Sequence, residues 1–305
     1  MPLDPQVKLV LDHLPDDLLD VRSTTPLELR KLYEEQTTIP IFPLAPVAHV
    51  EERSIPGPQG EIPLRIYAPE GSGERPPLVF FHGGGWVIGN LNTHDGTARK
   101  LANATGRSIV SVDYRLAPEH RFPAAAEDCF AAACWAAKNP GAVGAGCGAP
   151  AVAGDSAGGN LAAAVSLMAR DRSGPELGFQ LLIYPVVDCD FERASYTENA
   201  EGYMLTLDVM KWFWDQYVPD AEQRRQPYVS PLAADDLSGL PPTLVITAEF
   251  DPLRDEGEAY AERLRAAGVP VTCTRYDGMI HGFFSFADFV DKGRQALSEA
   301  AAALR

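Results

Sequence analysis

The chain of 305 residues has no apolar run approaching the roughly 20 residues that a bilayer-spanning helix needs. Positive charge is scarce. Lys and Arg number 26 against 42 Asp and Glu, a formal net charge of −16, so neither nucleic acid nor an anionic membrane surface is an expected partner. The first twenty residues lack the basic start of a secretory signal and soon turn acidic, which makes the cytoplasm the expected location. Cysteine is sparse and odd in number: Cys129, Cys134, Cys147, Cys189 and Cys273, with no C-x-x-C pair. They read as reduced thiols, mostly small hydrophobes of a core, and not as a disulfide framework. No H-E-x-x-H, H-x-x-E-H or clustered Cys and His occurs, so no metal or other cofactor is expected. Internal repeats and low-complexity tracts are absent apart from Ala-rich helical stretches.

What is present is the composition of an ordinary globular protein, 46% hydrophobic and 22% charged, at a length that buries a sizeable core. Residues 1–45 read as helical and loosely attached. Thr25-Pro26-Leu27-Glu28 combines an N-cap, Pro at the first helical position and Glu at the third. The Pro-rich stretch Ile39–Pro46 stops any helix. Strand-like runs follow at Val47–Ile55 and Ile62–Tyr67. The rhythm then becomes strand, loop, helix. Apolar strands are expected at Leu78–Phe81, Ser108–Val112, Ala149–Ala153, Gln180–Tyr184, Thr243–Thr247 and Val271–Tyr276. Helices are expected at Ala124–Lys138, Ala157–Arg170, Glu256–Ala267 and Ser285–Leu304. Strands separated by helices imply a doubly wound, mostly parallel α/β sheet, which binds ligands at the carboxyl ends of its strands.

One segment breaks that rhythm: about 58 residues separate Tyr184 from Thr243, too many for a simple crossover. Its middle, Thr206–Val218, reads as a helix with aromatics almost all round. Either it caps the strand ends together with residues 1–45, or its aromatics merely pack a helix onto the sheet. The capping reading gives a catalytic domain at 46–305 with an insertion at about 188–225. Trp86, Tyr184, Met210 and Trp214 are then candidate substrate-binding residues.

Gly154-Asp155-Ser156-Ala157-Gly158-Gly159 matches G-x-S-x-G between an apolar strand and an Ala-rich helix. Small residues there allow the sharp strand-to-helix turn that pushes a serine hydroxyl out as a nucleophile. His82-Gly83-Gly84-Gly85-Trp86 directly follows another strand. A glycine run lets backbone N–H groups turn inward, so the N–H groups of Gly83, Gly84 and Ala157 form a candidate oxyanion hole. A serine nucleophile needs a base and an orienting carboxylate, which follow it in the order acid, then His. Of six histidines only His281 lies after Ser156. Asp251 follows the strand Thr243–Thr247. Its rivals are Glu249, close to the strand, and Asp255, which looks like a helix N-cap.

These motifs, with Asp251-Pro252-Leu253-Arg254-Asp255-Glu256, His281-Gly282-Phe283 and Tyr114-Arg115-Leu116-Ala117-Pro118-Glu119-His120, resemble the hormone-sensitive-lipase-like esterases of the α/β-hydrolase fold. The likeness covers residues 45–305, and Gly-Asp-Ser-Ala-Gly looks like the main bacterial subgroup. The resemblance implies a carboxylesterase for short- to medium-chain acyl esters, a helical cap and frequent dimers. Arg115, Glu119 and His120 read as a structural hydrogen-bonding loop.

The expected partner is a small-molecule ester, split by Ser156 with His281 as base and Asp251 as orienter. An amidase or deacetylase using the same triad stays open, because leaving-group protonation and pocket shape decide between them. An inactive small-molecule receptor would have lost the catalytic histidine, and His281 is present. An interfacial lipase would favour an apolar lid, whereas the insert carries Asp188, Asp190, Glu192, Glu198, Glu201, Asp208 and Asp215. A homodimer through an edge strand at Val271–Tyr276 and an apolar stripe on the last helix is also an expectation. Charge is uneven: residues 77–180 balance eight bases with eight acids, while 1–76 and 181–305 net −6 and −10. An acidic rim around a serine favours neutral esters over anionic ones.

Overall fold

The computed structural model describes residues 2–15, 19–38, 43–71 and 73–305. In chain order its longer elements begin with α1 (Pro5–Leu11), α2 (Pro26–Thr37), β1 (His49–Gly57), β2 (Gly60–Ala68) and β3 (Leu78–Phe81). Next come α3 (Asp95–Thr105), β4 (Ile109–Val112), α4 (Ala124–Lys138), β5 (Ala151–Asp155), α5 (Ala157–Asp171) and β6 (Phe179–Ile183). The chain continues through α6 (Ala194–Glu198), α7 (Leu207–Tyr217), β7 (Thr243–Phe250), α8 (Arg254–Ala266), β8 (Val271–Ile280) and α9 (Asp291–Ala303).

The eight strands form one sheet in the order β1-β2-β4-β3-β5-β6-β7-β8. The β1–β2 hairpin is antiparallel, as is the β2–β4 pairing. From β4 through β8 every pairing is parallel. Strands β3 and β4 are wholly buried, which is why they read as unbroken apolar runs. Alternate residues feed two cores. Val79 and Phe81 join the helices α4, α5 and α8, while Leu78 and Phe80 join α3 and α9. Asp-Gly-Thr and Asn103 hide α3 from propensity reasoning, but Ala98, Leu101, Ala102 and Thr105 give it a buried face.

Several expectations change. The last helix starts at Asp291, because Phe283–Phe286 is a separate 3-10 turn entered at Gly282 with φ +83°. Its apolar stripe is spent inside the chain, where Ala296 and Ala300 pack with α3 in the second core. β8 lies at the sheet edge and runs four residues past Tyr276, so His281 stands directly at its end. The N-terminal region is docked and not loose: Val7 and Leu29 are fully buried, and Asp4 N–H donates to Gly278 C=O at 3.1 Å. The Thr25/Glu28 capping box forms as expected. Of the helix-stopping stretch Ile39–Pro46, the residues Ile39 to Phe42 lie outside the described residues. Only Cys129 of the five thiols is buried, and Cys147 is exposed. Among the described residues no helix is long and apolar enough to cross a membrane.

Candidate active site

β5 ends in the turn that carries Ser156, whose backbone is forced to φ 57°, ψ −119°. Such a left-handed non-glycine residue costs on the order of 1–3 kcal/mol, so its surroundings must hold it there. They do so by close approach. A Cβ on Gly158 would lie 1.9 Å from the Phe81 carbonyl oxygen, and one on Gly154 would lie 2.2 Å from the Gly158 backbone. Strand and helix therefore touch backbone to backbone, and the hydroxyl is presented at the carboxyl edge of the sheet.

His281 Nε2 stands 3.0 Å from Ser156 Oγ, and His281 Nδ1 stands 2.8 Å from Asp251 Oδ2. Asp251 is fully buried, and its other oxygen accepts the Leu253 N–H at 2.9 Å. With Nδ1–H donating to the carboxylate, Nε2 is left bare to accept the serine proton. The rival acids point elsewhere. Glu249 accepts the Gly278 N–H at 2.6 Å. Asp255 is not an N-cap, because α8 begins one residue earlier. It sits in the first turn, accepts the Ser195 N–H at 2.8 Å and pairs with Arg254.

The glycine loop needs a correction. The Gly83 N–H donates to Asp155 Oδ1 at 3.0 Å, so it is committed within the protein. Gly84 and Gly85 follow with φ +117° and +57°, and their N–H groups find no acceptor among the described residues. Ala157, at the start of α5, likewise has an N–H with no intrahelical partner. The N–H groups of the expected hole and its loop that no described residue takes up are thus those of Gly84, Gly85 and Ala157. Glycine spacing does not reveal which N–H turns inward; that depends on backbone angles. His82 supports the loop from below. Tyr114 stacks on its ring at 4.3 Å and donates to its carbonyl at 2.7 Å. Burial, with His94 adding to it, pushes the His82 imidazole down to about 3, so it stays neutral.

A cavity of about 410 Å³ opens over Ser156, His281, Tyr184 and residues 83–85. Its walls come from the N-terminal region (Leu14, Leu19, Tyr33) and from the insert (Met204, Leu205, Phe213). Three of the four expected substrate contacts lie elsewhere. Trp86 and Trp214 are fully buried, 4.9 Å apart between ring centroids, and Trp86 stacks on Tyr217 at 4.3 Å. Met210 is buried on the same face of α7. Tyr184 does line the cavity, with its ring 4.6 Å from that of His281. On α7 it is Phe213 that reaches the cavity, against Gly85. Asp208, Lys211 and Asp215 form an exposed face, so α7 is not buried all round. Its aromatics both pack the helix down and roof the site.

The two wall pieces attach differently. On α2, the Arg30 guanidinium donates to the carbonyls of Val87 and Ala117, each at 2.6 Å, and pairs with Glu119. Arg115 forks onto buried Asp128 at 2.8 Å. The loop Tyr114–His120 thus joins sheet, helix and N-terminal region. The insert instead grips the acid loop. Ser195 Oγ donates to Pro252 C=O at 2.6 Å and Asn199 Nδ2 to Asp251 C=O at 3.2 Å. Behind them, buried Glu256 accepts the Val187 and Asp188 N–H groups at 2.8 and 3.3 Å and the Tyr196 hydroxyl at 3.0 Å. Burial pushes the Glu256 carboxyl well above its ordinary range. Nothing in residues 194–199 alone marks them as partners of a loop fifty residues later.

A family model for the alpha/beta hydrolase fold matches residues 78–285. The carboxylesterase NlhH of Mycobacterium tuberculosis is 41% identical over 309 residues, covering 99% of this chain and 95% of that protein. The carboxylic ester hydrolase LipN of the same organism is 45% identical over 268 residues, 85% of this chain and 71% of that protein. Among solved structures, a hyperthermophilic esterase from the archaeon Pyrobaculum calidifontis aligns at a TM-score of 0.93 and 44% identity. That alignment covers 100% of this chain and 98% of that one.

Proposed function

The chain belongs to the hormone-sensitive-lipase-like family of the α/β-hydrolase fold, and from that premise we propose that it is a serine carboxylesterase working through an acyl-enzyme. The observation that carries this reading is the continuous line from Ser156 Oγ through His281 to buried Asp251, at 3.0 and 2.8 Å. Ser156 Oγ attacks the ester carbonyl carbon while its proton passes to His281 Nε2. The carbonyl oxygen becomes an oxyanion received by the N–H groups of Gly84, Gly85 and Ala157. Collapse breaks the bond to the alkoxy oxygen, which takes the proton from Nε2 and leaves as the alcohol. Water then gives a proton to Nε2, attacks the acyl carbon and releases the acid with Ser156 regenerated. Asp251 holds the imidazole tautomer and stabilises the imidazolium throughout.

Substrates in this reading are neutral esters with short- to medium-length acyl chains. A cavity of about 410 Å³ suits such molecules. Three aspartates (Asp95, Asp155 and Asp288) line it against one lysine, Lys100, which is itself paired with Asp288. An anionic ester would meet that excess of negative charge. Ser156→Ala is expected to abolish hydrolysis of p-nitrophenyl butyrate while leaving circular dichroism and Tm unchanged. Wild-type turnover by that variant would end the assignment.

A further inference from the structure

Gly83 is tied down in a way that the hydrolytic reaction itself does not require. The last rung of the β3–β5 ladder pairs Phe81 with Gly154, and one residue further β5 ends at Asp155. Past that rung, where backbone pairing stops, the Asp155 carboxylate accepts the Gly83 N–H at 3.0 Å. A Cβ on residue 83 would lie 2.5 Å from Asp155 Oδ2, so glycine is what permits the contact. The same N–H is shared with a longer bond to His94 Nε2, at 3.3 Å, itself 3.5 Å from Asp155 Oδ2. His94 is fixed in turn by Thr93 Oγ at 2.9 Å from its Nδ1.

Beyond Gly83 the chain forms a tight turn, in which the N–H groups of Val87 and Ile88 both donate to Gly84 C=O, at 3.0 and 2.9 Å, and whose far side is held by Arg30 at Val87 C=O and by the Ala117 N–H at Trp86 C=O, at 2.6 and 2.9 Å. With that far side fixed, the placement of the turn's leading end is set at its root. Gly83 is that root, and Asp155 directly precedes the nucleophile. We propose that Asp155 is a positioning residue for the esterase reaction, holding the glycine turn so that the Gly84 and Gly85 donors stand in register with Ser156. The inference rests on the esterase reading above. Burial raises the Asp155 carboxyl, but His94 beside it brings it below its ordinary range. The acceptor is therefore anionic, and hydrogen bonds to charged acceptors are the stronger kind. A carboxylate at this place also lies near the N-terminus of α5, where it stabilises the helix. That role alone would show in Tm and leave the kinetic constants untouched.

The test uses Asp155→Asn, which keeps an acceptor oxygen for the Gly83 N–H, and Asp155→Ala, which removes it. Should the alanine variant fail to fold, Asp155→Ser, too short to reach Gly83, takes its place with the same expectation. Wild-type activity and its loss in Ser156→Ala are established first, so that failure of the esterase reading is seen separately. With p-nitrophenyl butyrate, Asp155→Ala is expected to lose about 10- to 100-fold in kcat, the scale of an ångström-sized misplacement, with KM within about threefold. Its inhibition by a trifluoromethyl ketone, which forms an oxyanion on Ser156, should weaken in parallel. Asp155→Asn should recover most of both. An alanine variant with kcat within about threefold of wild type would overturn the proposal, as would an asparagine variant as impaired as the alanine one.

Discussion

Asp251→Asn exchanges one atom at the most buried point of the triad. The new side chain keeps Oδ1 as acceptor for the Leu253 N–H, 2.9 Å away in the wild type. That fixes which end of the amide faces His281: the NH2 group replaces the oxygen that stood 2.8 Å from Nδ1. Two donors cannot face each other there, so the imidazole moves its proton to Nε2 and presents a bare Nδ1 to the amide. Nε2, 3.0 Å from Ser156 Oγ, then carries a proton and can no longer take one. Enzymes with this constellation lose about 10⁴-fold in kcat on such a change. At 1.36 kcal/mol per decade, that is about 5.5 kcal/mol of transition-state stabilisation. KM should hold, because Asp251 is fully buried and touches no substrate. The assay is steady-state hydrolysis of p-nitrophenyl butyrate, with His281→Ala and the double variant alongside. Residues acting as a unit are strongly non-additive, so the double variant should be no slower than His281→Ala alone. An Asp251→Asn enzyme within tenfold of wild-type kcat would refute the tautomer argument, as would full additivity.

Two further outcomes follow from the cavity wall and the loop behind it. Phe213→Ala removes the ring lying against Gly85 in the cavity wall, so the preferred p-nitrophenyl ester should shift to a longer acyl chain, at a cost of about 3–5 kcal/mol in stability; an unmoved chain-length optimum speaks against this wall. Glu256 has its folded-state carboxyl raised by burial, so its contribution to stability is fully present below the ordinary carboxylate range and is lost as pH rises through the raised value. Glu256→Gln, which keeps the acceptor for Val187 and Asp188, should therefore gain in Tm relative to wild type between pH 4 and pH 8. A gap that closes instead of opening with pH would show that Glu256 is stabilised as an anion.

The parts legible in the sequence are those where local chemistry admits few solutions. Gly154 and Gly158 announce the elbow because no side chain fits between strand and helix there. His281 follows from its being the one histidine after Ser156, and the apolar runs at Leu78–Phe81 and Ala151–Ala153 from burial on both faces. Choices among neighbours were less legible. Gly83, Gly84 and Gly85 are identical in sequence, and the acceptors Asp155 and His94 at its N–H set the first apart. Phe213 and Trp214 are adjacent on α7, and a rotation of about 100° per residue decides which reaches the cavity and which meets Trp86. Pairings such as Asn199 with the Asp251 carbonyl join segments with no local signal in either.

The unequal rooting of the two wall pieces bears on how this enzyme can be re-engineered. Replacing the insert wholesale would disturb Ser195, Asn199 and the bonds that seat the Asp251 loop, so new substrate preference and lost turnover would arrive together. The N-terminal piece lends Leu14, Leu19 and Tyr33 to the same cavity, yet its anchoring side chain Arg30 grips only carbonyls and Glu119, never the acid loop or His281. Its α2 portion is the interchangeable part, since α1 is tied by the Asp4 N–H to Gly278 on the strand that carries His281. Chimeras that swap residues 19–38 between relatives can diversify the ester pocket while the hydrolytic machinery is inherited intact.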